Sequence, residues 1–280
     1  MKTGKLMSVF AAMIIAASTL TGCGSSNSEI TVISREDGSG TRGAFTELMG
    51  ITVDDVDNTV ASAEISNSTS VVIQSVAGNS SAIGYISLGS LNDEVKAVSV
   101  DGTEATVDNI NSGEYKVARP FNIATREDIS DLAADFVSFI MSADGQAIVE
   151  EKGYIKASDA GAYTSSDMSG TIVVAGSTSV APVMEVLADE YKKLNSGVTI
   201  EIQQTGSSAG MTSTIEGACD IGMASREVKD TEIQQGLVPT VIAMDGIAVI
   251  VNNDSEIDNL TSEQIKQIYT GEITDWSEIQ

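Results

Sequence analysis

The chain has 280 residues, a formal net charge of −25 and no histidine. A strongly acidic protein repels nucleic acid and anionic membrane surfaces at long range, so any anion that it binds must be held by local hydrogen bonds. The lack of histidine excludes a Ser-His-Asp triad, histidine metal sites and histidine acid–base catalysis. The length and the 42% share of hydrophobic residues are typical of a folded protein with two lobes of ordinary size.

Residues 1–22 are predicted to be a secretion signal. Lys2 and Lys5 precede an apolar run over residues 6–20, which is too short and wrongly flanked for a stable membrane span. The run ends in Leu-Thr-Gly-Cys at Cys23, which resembles the lipobox of bacterial lipoproteins. This resemblance implies cleavage before Cys23 and acylation of its sulfur, with residues 23–29 as a tether. A plain secretory signal is the alternative.

Cys219 is left alone if Cys23 carries a lipid, so no disulfide can form within one chain. A lone cysteine in the sequence Gly-Ala-Cys-Asp is expected to be a small buried hydrophobic side chain. The protein is expected to act as a monomer.

Three apolar runs typical of β-strands each end in a turn of small polar residues that opens a helix-like segment. The turns are residues 35–41 (Arg-Glu-Asp-Gly-Ser-Gly-Thr), 176–179 (Gly-Ser-Thr-Ser) and 206–208 (Gly-Ser-Ser). The first backbone N–H groups of a helix are unpaired and lie at the positive end of its dipole, so they attract anions. One such turn is more often a simple N-cap, but three of them predict an oxyanion receptor.

Strand-like and helix-like segments alternate along the rest of the chain, which predicts an α/β fold with mostly parallel sheets. Apolar residues recur at helical spacing over residues 132–140 and again over residues 183–191, just after Pro182. Both apolar stripes are expected to belong to the core. Residues 158–170 are rich in Ser, Ala, Asp and Gly, and this composition predicts a surface linker.

These motifs resemble the substrate-binding proteins of bacterial phosphate ABC transporters, the PstS type, over essentially all of the chain after the tether. In that family the Gly-Ser-Thr-Ser, Gly-Ser-Ser and Asp-Ile-Gly turns come first, then a segment similar to residues 268–276 (Ile-Tyr-Thr-Gly-Glu-Ile-Thr-Asp-Trp). The motif Arg-x-Asp-Gly-Ser-Gly-Thr comes last in the family and first in this chain. The order indicates a circular permutation in which residues 158–170 join the family's usual termini. A fragment of a longer tandem or a wrongly assigned reading frame is the alternative.

The resemblance implies a type II periplasmic-binding-protein fold, with two α/β lobes, a hinge and a ligand cleft between the lobes. One lobe would contain residues 30–97 and 240–280, and the other would contain residues 98–239.

The resemblance also implies which residues bind the anion. Arg35 would make a charge-assisted contact and Asp37 would orient it; otherwise Arg35 would form a surface salt bridge with Glu36 or Asp37. The other expected ligands are hydroxyl and backbone N–H groups in the turns: Ser39, Gly40, Thr41, Thr178, Ser179, Ser207 and Ser225.

The third turn departs from the family in a way that affects specificity. Phosphate at neutral pH carries a proton that sulfate lacks, so a carboxylate that accepts this proton's hydrogen bond distinguishes the two anions. Family members commonly place Asp after the serine of this turn, where this chain has Arg226 after Ser225. The acceptor could be Glu227 or Asp37, or it could be absent, and Arg226 could itself contact the anion.

The leading interpretation is a lipid-anchored extracytoplasmic protein that captures inorganic phosphate and delivers it to an ABC permease. It would need no cofactor or metal and would not bind nucleic acid. A receptor for another oxyanion, or a sensor or surface lipoprotein on the same fold, is the alternative. A phosphomonoesterase with Ser39 or Thr178 as nucleophile is least favoured, because the chain lacks the histidine that would activate either hydroxyl.

Overall fold

The structure is a computed structural model that describes residues 28–279. The predicted signal, Cys23 and most of the predicted tether lie outside the described residues. The strands are β1 (Thr31–Arg35), β2 (Thr52–Val53), β3 (Val56–Asp57), β4 (Glu64–Ser66), β5 (Ala82–Ser87), β6 (Val95–Ala97), β7 (Ser99–Val100), β8 (Ala118–Arg126), β9 (Ile155–Lys156), β10 (Ser169–Gly176), β11 (Gly197–Gln204), β12 (Ile221–Ala224), β13 (Leu237–Asn252) and β14 (Asn259–Leu260). The α-helices are α1 (Gly40–Leu48), α2 (Thr69–Ala77), α3 (Val107–Asn111), α4 (Asp131–Met141), α5 (Ala143–Glu151), α6 (Ala181–Leu194), α7 (Ser207–Ile215), α8 (Asp230–Ile233) and α9 (Ser262–Thr270).

One ten-stranded sheet runs through the molecule in the order β11-β10-β12-β8-β13-β5-β1-β4, with β6 and β9 also paired to β13. At one side β10 pairs in parallel with β11 and β12, and at the other β1 pairs in parallel with β4 and β5. A long antiparallel ladder of β8 with β13 joins the two parallel groups. The α/β class is therefore confirmed, but the prediction of mostly parallel sheets holds only at these two sides. Beyond their shared ladder, β8 pairs antiparallel with β12, and β13 pairs antiparallel with β5, β6 and β9.

Two sets of hydrophobic cores divide the chain into lobes. One core, around Phe136 and Tyr191, draws its residues from positions 121–243. The other cores, around Phe45 and Tyr269, draw theirs from positions 30–117 and 247–279. We call residues 118–246 the central lobe, and residues 28–117 together with 247–279 the terminal lobe.

The hinge consists of two neighbouring strand crossings. The first half of β13 pairs with β8 in the central lobe, and residues 247–251 pair with β5 in the terminal lobe. The chain crosses at residues 117–118 and 246–247, where the amide of Ile247 donates to the carbonyl of Val117 at 2.8 Å. Two lobes with a hinge are thus confirmed.

The structure corrects the lobe boundaries expected from sequence. Val98, Tyr115 and Val117 pack into the core of the terminal lobe, so the central lobe begins at about residue 118 and not at residue 98. Ile242 and Ala243 pack into the core of the central lobe, so the return crossing lies after residue 240. An apolar segment with weak periodicity can belong to either side of a hinge, and only the packing partner decides.

The two predicted apolar stripes form α4 and α6, and their apolar faces are buried in the central lobe. Among residues 28–279, no single helix is long and apolar enough to span a membrane, and α4 with α5 satisfies that measure only as a pair bent by 58°. Cys219 is buried, as expected, and burial raises the pKa of its thiol.

The predicted linker lies on the surface. Residues 158–168 contain no regular element and are mostly exposed, before β10 begins at Ser169. Tyr163 holds this segment to the central lobe, because its hydroxyl donates to Asp135 at 2.5 Å and its ring packs edge-on against Phe139.

The two ends of the described chain lie side by side in the terminal lobe. The amide of Ile30 donates to the carbonyl of Thr274, and the amide of Trp276 donates to the carbonyl of Ser28, both at 2.8 Å.

Candidate anion-binding site

Four helices begin at the boundary between the lobes, and each follows a strand of the central sheet. They are α1 after β1, α2 after β4, α6 after β10 and α7 after β11. Because β1 and β4 are parallel, and β10 and β11 are parallel, the helices that follow each pair begin at the same edge of the sheet. This arrangement brings four sets of unpaired backbone N–H groups and four positive dipole ends together.

Seven buried hydroxyl groups that hydrogen bond to one another lie at this boundary, and we call them the hydroxyl cluster. They are Thr41, Thr69, Ser177, Thr178, Ser179, Ser207 and Ser225, and none is more than 6% exposed.

Hydrogen bonds join the hydroxyl cluster across the cleft. The hydroxyl of Thr41 lies 2.8 Å from that of Ser179 and 3.3 Å from that of Ser225. The hydroxyl of Thr69 lies 3.1 Å from that of Ser179. Within the central lobe, Ser177 Oγ donates to Ser225 Oγ at 2.9 Å. The cluster therefore draws on both lobes.

Arg35 supplies the positive charge at this site. It is the last residue of β1, it is only 2% exposed, and its Nη2 donates to the hydroxyl of Thr178 at 3.0 Å. Its Nε and Nη2 also donate to the two carboxylate oxygens of Glu36, each at 2.8 Å. The amide of Arg35 donates to the buried hydroxyl of Tyr85 at 3.1 Å, which fixes the end of the strand.

The turn between β1 and α1 approaches the start of α7 closely. The amide of Ser208 donates to the carbonyl of Gly38 at 3.0 Å. A Cβ on Gly40 would lie 2.5 Å from Ser207 Oγ and 2.9 Å from Ser225 Oγ, closer than real side chains come. Glycine at position 40 is thus required for this contact between the lobes.

Every ligand residue expected from the turns lies at this boundary. Arg35, Thr41, Thr178, Ser179, Ser207 and Ser225 share hydrogen bonds within the cluster, and Gly40 abuts it. Ser39 is buried beside them, and its hydroxyl accepts from the amide of Arg42 at 3.3 Å as the N-cap of α1.

The expected role of Asp37 is wrong. Its side chain is fully exposed and faces Arg42 at 3.2 Å, whereas Glu36 binds and orients Arg35. Glu36 follows the strand directly and still reaches the guanidinium. Asp37 and Gly38 form the turn itself, and Gly38 has a φ of 83° that carries the chain away from Arg35.

Arg226 and Glu227 lie outside the hydroxyl cluster. The Nη1 and Nη2 groups of Arg226 donate to both carboxylate oxygens of Glu232, at 2.9 and 2.8 Å. Burial alone would raise the pKa of Glu232, but hydrogen bonds from Arg226 and from the amide of Lys229 lower it below its usual value. Glu227 is exposed on the surface. Arg226 reaches the edge of the cluster through Ser208, to which its Nη2 donates at 3.3 Å. A contact of either residue with the anion stays a prediction.

Three participants were not among the expected ligands: Glu36, Thr69 and Ser177. Thr69 had a usable signal, because Glu-Ile-Ser followed by Asn-Ser-Thr-Ser is a fourth strand that ends in small polar residues at a helix start. Ser177 belonged to a recognised turn. Its hydroxyl accepts from the amides of Ser179 and Val180 in the turn that leads into α6.

Comparisons with known proteins agree with this architecture. The family model of the PBP superfamily domain matches residues 6–144 and 161–280. The chain is 48% identical to the phosphate-binding protein PstS 2 of Streptococcus agalactiae serotype V, over 100% of this chain and 99% of that protein. It is 45% identical to PstS 2 of Streptococcus pneumoniae serotype 4, over 99% of both. A crystal structure of a phosphate-binding protein of a phosphate ABC transporter from Streptococcus pneumoniae TIGR4 matches with a TM-score of 0.73 at 47% identity, covering 90% of this chain and 100% of that one.

Proposed function

Since the chain belongs to the PstS family of ABC-transporter phosphate-binding proteins within the PBP superfamily, we propose that it captures inorganic phosphate in the cleft between its lobes and delivers it to a permease. It is a phosphate-binding protein and not an enzyme, in keeping with its relatives. One observation supports the cleft as the binding site above all others: the hydroxyl cluster and Arg35 lie together where four helix N-termini meet.

The proposed ligand set balances charge as well as geometry. Hydroxyls and helix N-terminal amides donate hydrogen bonds without net charge, and their dipoles are preoriented by the fold. Arg35 adds a charge-assisted contact, and Glu36 offsets part of that charge. This local arrangement explains how a chain of net charge −25 can bind an anion, because buried donors act at short range where bulk charge is weakly felt.

Binding is proposed to close the lobes about the hinge. Arg35, Thr41 and Thr69 belong to the terminal lobe, and Ser179 and the other central-lobe hydroxyls face them across the cleft. An anion that contacts both sets binds the closed form more tightly than the open form, which shifts the equilibrium towards closure. The closed form is the one that a permease can distinguish from the empty receptor.

Calorimetric titration of the purified protein, unfolded and refolded to remove carried-over anion, tests phosphate binding. We expect tight binding of one phosphate and much weaker binding of sulfate at neutral pH. Tight binding of sulfate would mean that the ligand is an oxyanion other than phosphate. No heat from either anion would refute the proposal that the cleft binds an anion.

Lipid anchoring at Cys23 and membrane localisation are a separate proposal, supported by the lipobox-like sequence. Mass spectrometry of the membrane-extracted protein should find acylated Cys23 at the new N-terminus. Cys23→Ser should release the protein from the membrane, and retention of this variant would contradict the anchor.

We also propose that the chain order is a circular permutation of the more usual family order. Two observations support it: residues 158–168 form an irregular surface connection, and residues 28–30 lie beside residues 274–276. In the test, the chain receives new termini within the linker, and residue 276 is connected to residue 29 by a short peptide. This rearranged chain should fold and bind phosphate. Failure of the rearranged chain to fold would argue against the circular permutation.

A further inference from the structure

A second arginine–carboxylate pair lies buried in the hinge. Arg119 Nη2 and Asp245 Oδ2 are 3.0 Å apart, and their side chains are 2% and 1% exposed. The two residues face each other across the β8–β13 ladder, immediately before the strands cross into the terminal lobe. The hydroxyl cluster does not include this pair, and no step of anion capture described above uses it.

Few other charges surround the hinge pair. Tyr115 and Tyr154 are the titratable groups that face Asp245 besides Arg119, and Ser87 with the amides of Leu88 and Gly89 approaches it from the terminal lobe. Burial raises the pKa of both tyrosines, so they stay neutral at physiological pH.

The guanidinium of Arg119 does not have a hydrogen-bond partner for every N–H group. Its guanidinium lies 5.3 Å from the ring centroid of Phe121, and its Nε and Nη1 have no hydrogen-bond partner among the residues that the structure describes. Its charge is therefore balanced mainly by Asp245.

The hinge pair is within electrostatic reach of the anion site. Burial lowers the pKa of Arg119 to about 10, and the charge of Arg35 is among the further causes. Arg119 also lines one cavity together with Gly43 and Ala44 of α1 and with Arg226, so it lies beside the helix that begins at the anion site. In a buried region with few mobile charges, such an interaction is weakly screened.

We propose that Asp245 sets the anion affinity of the cleft through Arg119: when ionised it cancels the arginine charge behind Arg35, and when neutral it leaves that charge to attract the anion. Asp245 is thus a charge-setting residue that does not touch the ligand. This inference rests on the proposed function of the cleft as a phosphate site.

The sign of the pH effect follows from the burial of Asp245. Desolvation raises the pKa of Asp245 to about 6, although Arg119 opposes the shift. At pH 8 the pair is neutral overall. At pH 5 Asp245 is mostly protonated, and the remaining charge of Arg119 strengthens anion binding.

Phosphate also changes its charge over this pH range. The test therefore uses the ratio of the variant's dissociation constant to that of the wild type at the same pH, because the ionisation of phosphate affects both values equally. Calorimetry would give the dissociation constant for phosphate at pH 5, 6, 7 and 8 for the wild type, Asp245→Asn, and the double variant Arg119→Met with Asp245→Asn. Asp258→Asn is the matched control, because Asp258 forms an exposed pair with Lys96.

Asp245→Asn should bind phosphate at least about fivefold more tightly than the wild type at pH 8 and about equally at pH 5, as expected for one extra buried charge at moderate distance. The double variant, neutral at every pH, should match the wild type at pH 8 and bind at least about fivefold more weakly at pH 5. The dissociation constant of the Asp258→Asn control should equal that of the wild type at every pH.

Affinity ratios that do not change with pH would overturn the inference and leave the pair a structural role. If Asp245→Asn does not fold, as judged by circular dichroism, the double variant decides, since it buries no unpaired charge. A wild type that binds no phosphate at any pH would refute the proposed function and this inference together. A wild type that binds, with flat ratios, would refute this inference alone.

Discussion

Arg35 and Arg226 lie on opposite walls of the same cleft, and each pairs with a glutamate through two hydrogen bonds. Their remaining donors differ. Arg35 reaches the hydroxyl of Thr178, whereas Arg226 donates to the carbonyl of Glu227 and to Ser208, beside the cluster. Pairing with a carboxylate therefore does not remove an arginine from a binding site. Whether the arginine can bind an anion depends on where the N–H groups that do not contact the glutamate point.

Removing the two arginines in parallel should give the largest difference. Arg35→Met should weaken phosphate binding by two to three decades, because it removes charge-assisted hydrogen bonds of about 1.5 to 3 kcal/mol each and leaves Glu36 unpaired near the anion. Arg226→Met should change the affinity less than about threefold. Calorimetry of both variants measures this contrast. Equal losses would mean that Arg226 turns into the cleft when the anion binds.

The contact between the lobes at the first turn can be broken by one methyl group. Gly40→Ala places a Cβ against Ser207 and Ser225 and should weaken phosphate binding roughly tenfold to a hundredfold, because overpacking of a tight contact costs about 1 to 3 kcal/mol. Gly43→Ala is the matched control, since nothing lies within 4 Å of its Cβ and alanine favours the helix. Unchanged affinity in Gly40→Ala would show that the cleft closes without this contact.

The carboxylate that separates phosphate from sulfate should be Glu36. Glu36→Gln should narrow the ratio of phosphate to sulfate affinity by about tenfold, because an amide cannot discriminate through the proton of phosphate as a carboxylate does. Asp37→Asn and Glu227→Gln change carboxylates that lie outside the cluster and should leave this ratio unchanged. Competition titrations with both anions measure it. A narrowed ratio in Glu227→Gln alone would restore Glu227 as the acceptor.

A single hydroxyl should matter least. Thr69→Val keeps the shape of the side chain and removes one donor from the cluster, so phosphate affinity should fall about threefold to tenfold, in line with roughly 0.5 to 1.5 kcal/mol for one hydrogen bond. Thr164→Val, at an exposed position in the linker, should have no effect. An equal response of the two variants would exclude Thr69 from the binding site.

Much of the site could be predicted because its parts are local. Strands that end in small polar residues before a helix start are visible in the sequence, and three of the four such turns were recognised with their ligand residues. Thr69 was missed because its strand, Glu64–Ser66, has only three residues and lacks a strong apolar pattern.

Contacts between neighbouring side chains were harder to predict. Glu36 and Asp37 are adjacent acidic residues, and the choice between them depends on the turn at Gly38, which points one towards Arg35 and the other towards solvent. Arg226 follows Ser225 directly, but Glu232 on α8 diverts its guanidinium. Adjacent residues can face opposite directions, and the chain order does not say which faces the cleft.

The sequence by itself determined the family, the α/β class, the turns that present hydroxyls and amides, and the lack of histidine chemistry. These follow from residue types within short segments, where backbone geometry and hydrogen bonding are local. Only the tertiary structure decided the lobe boundary at residues 117–118, the partner of each arginine, and the burial of Arg119 with Asp245 in the hinge. Those features depend on segments that meet from distant parts of the chain, and burial and charge balance are set by what each side chain meets there.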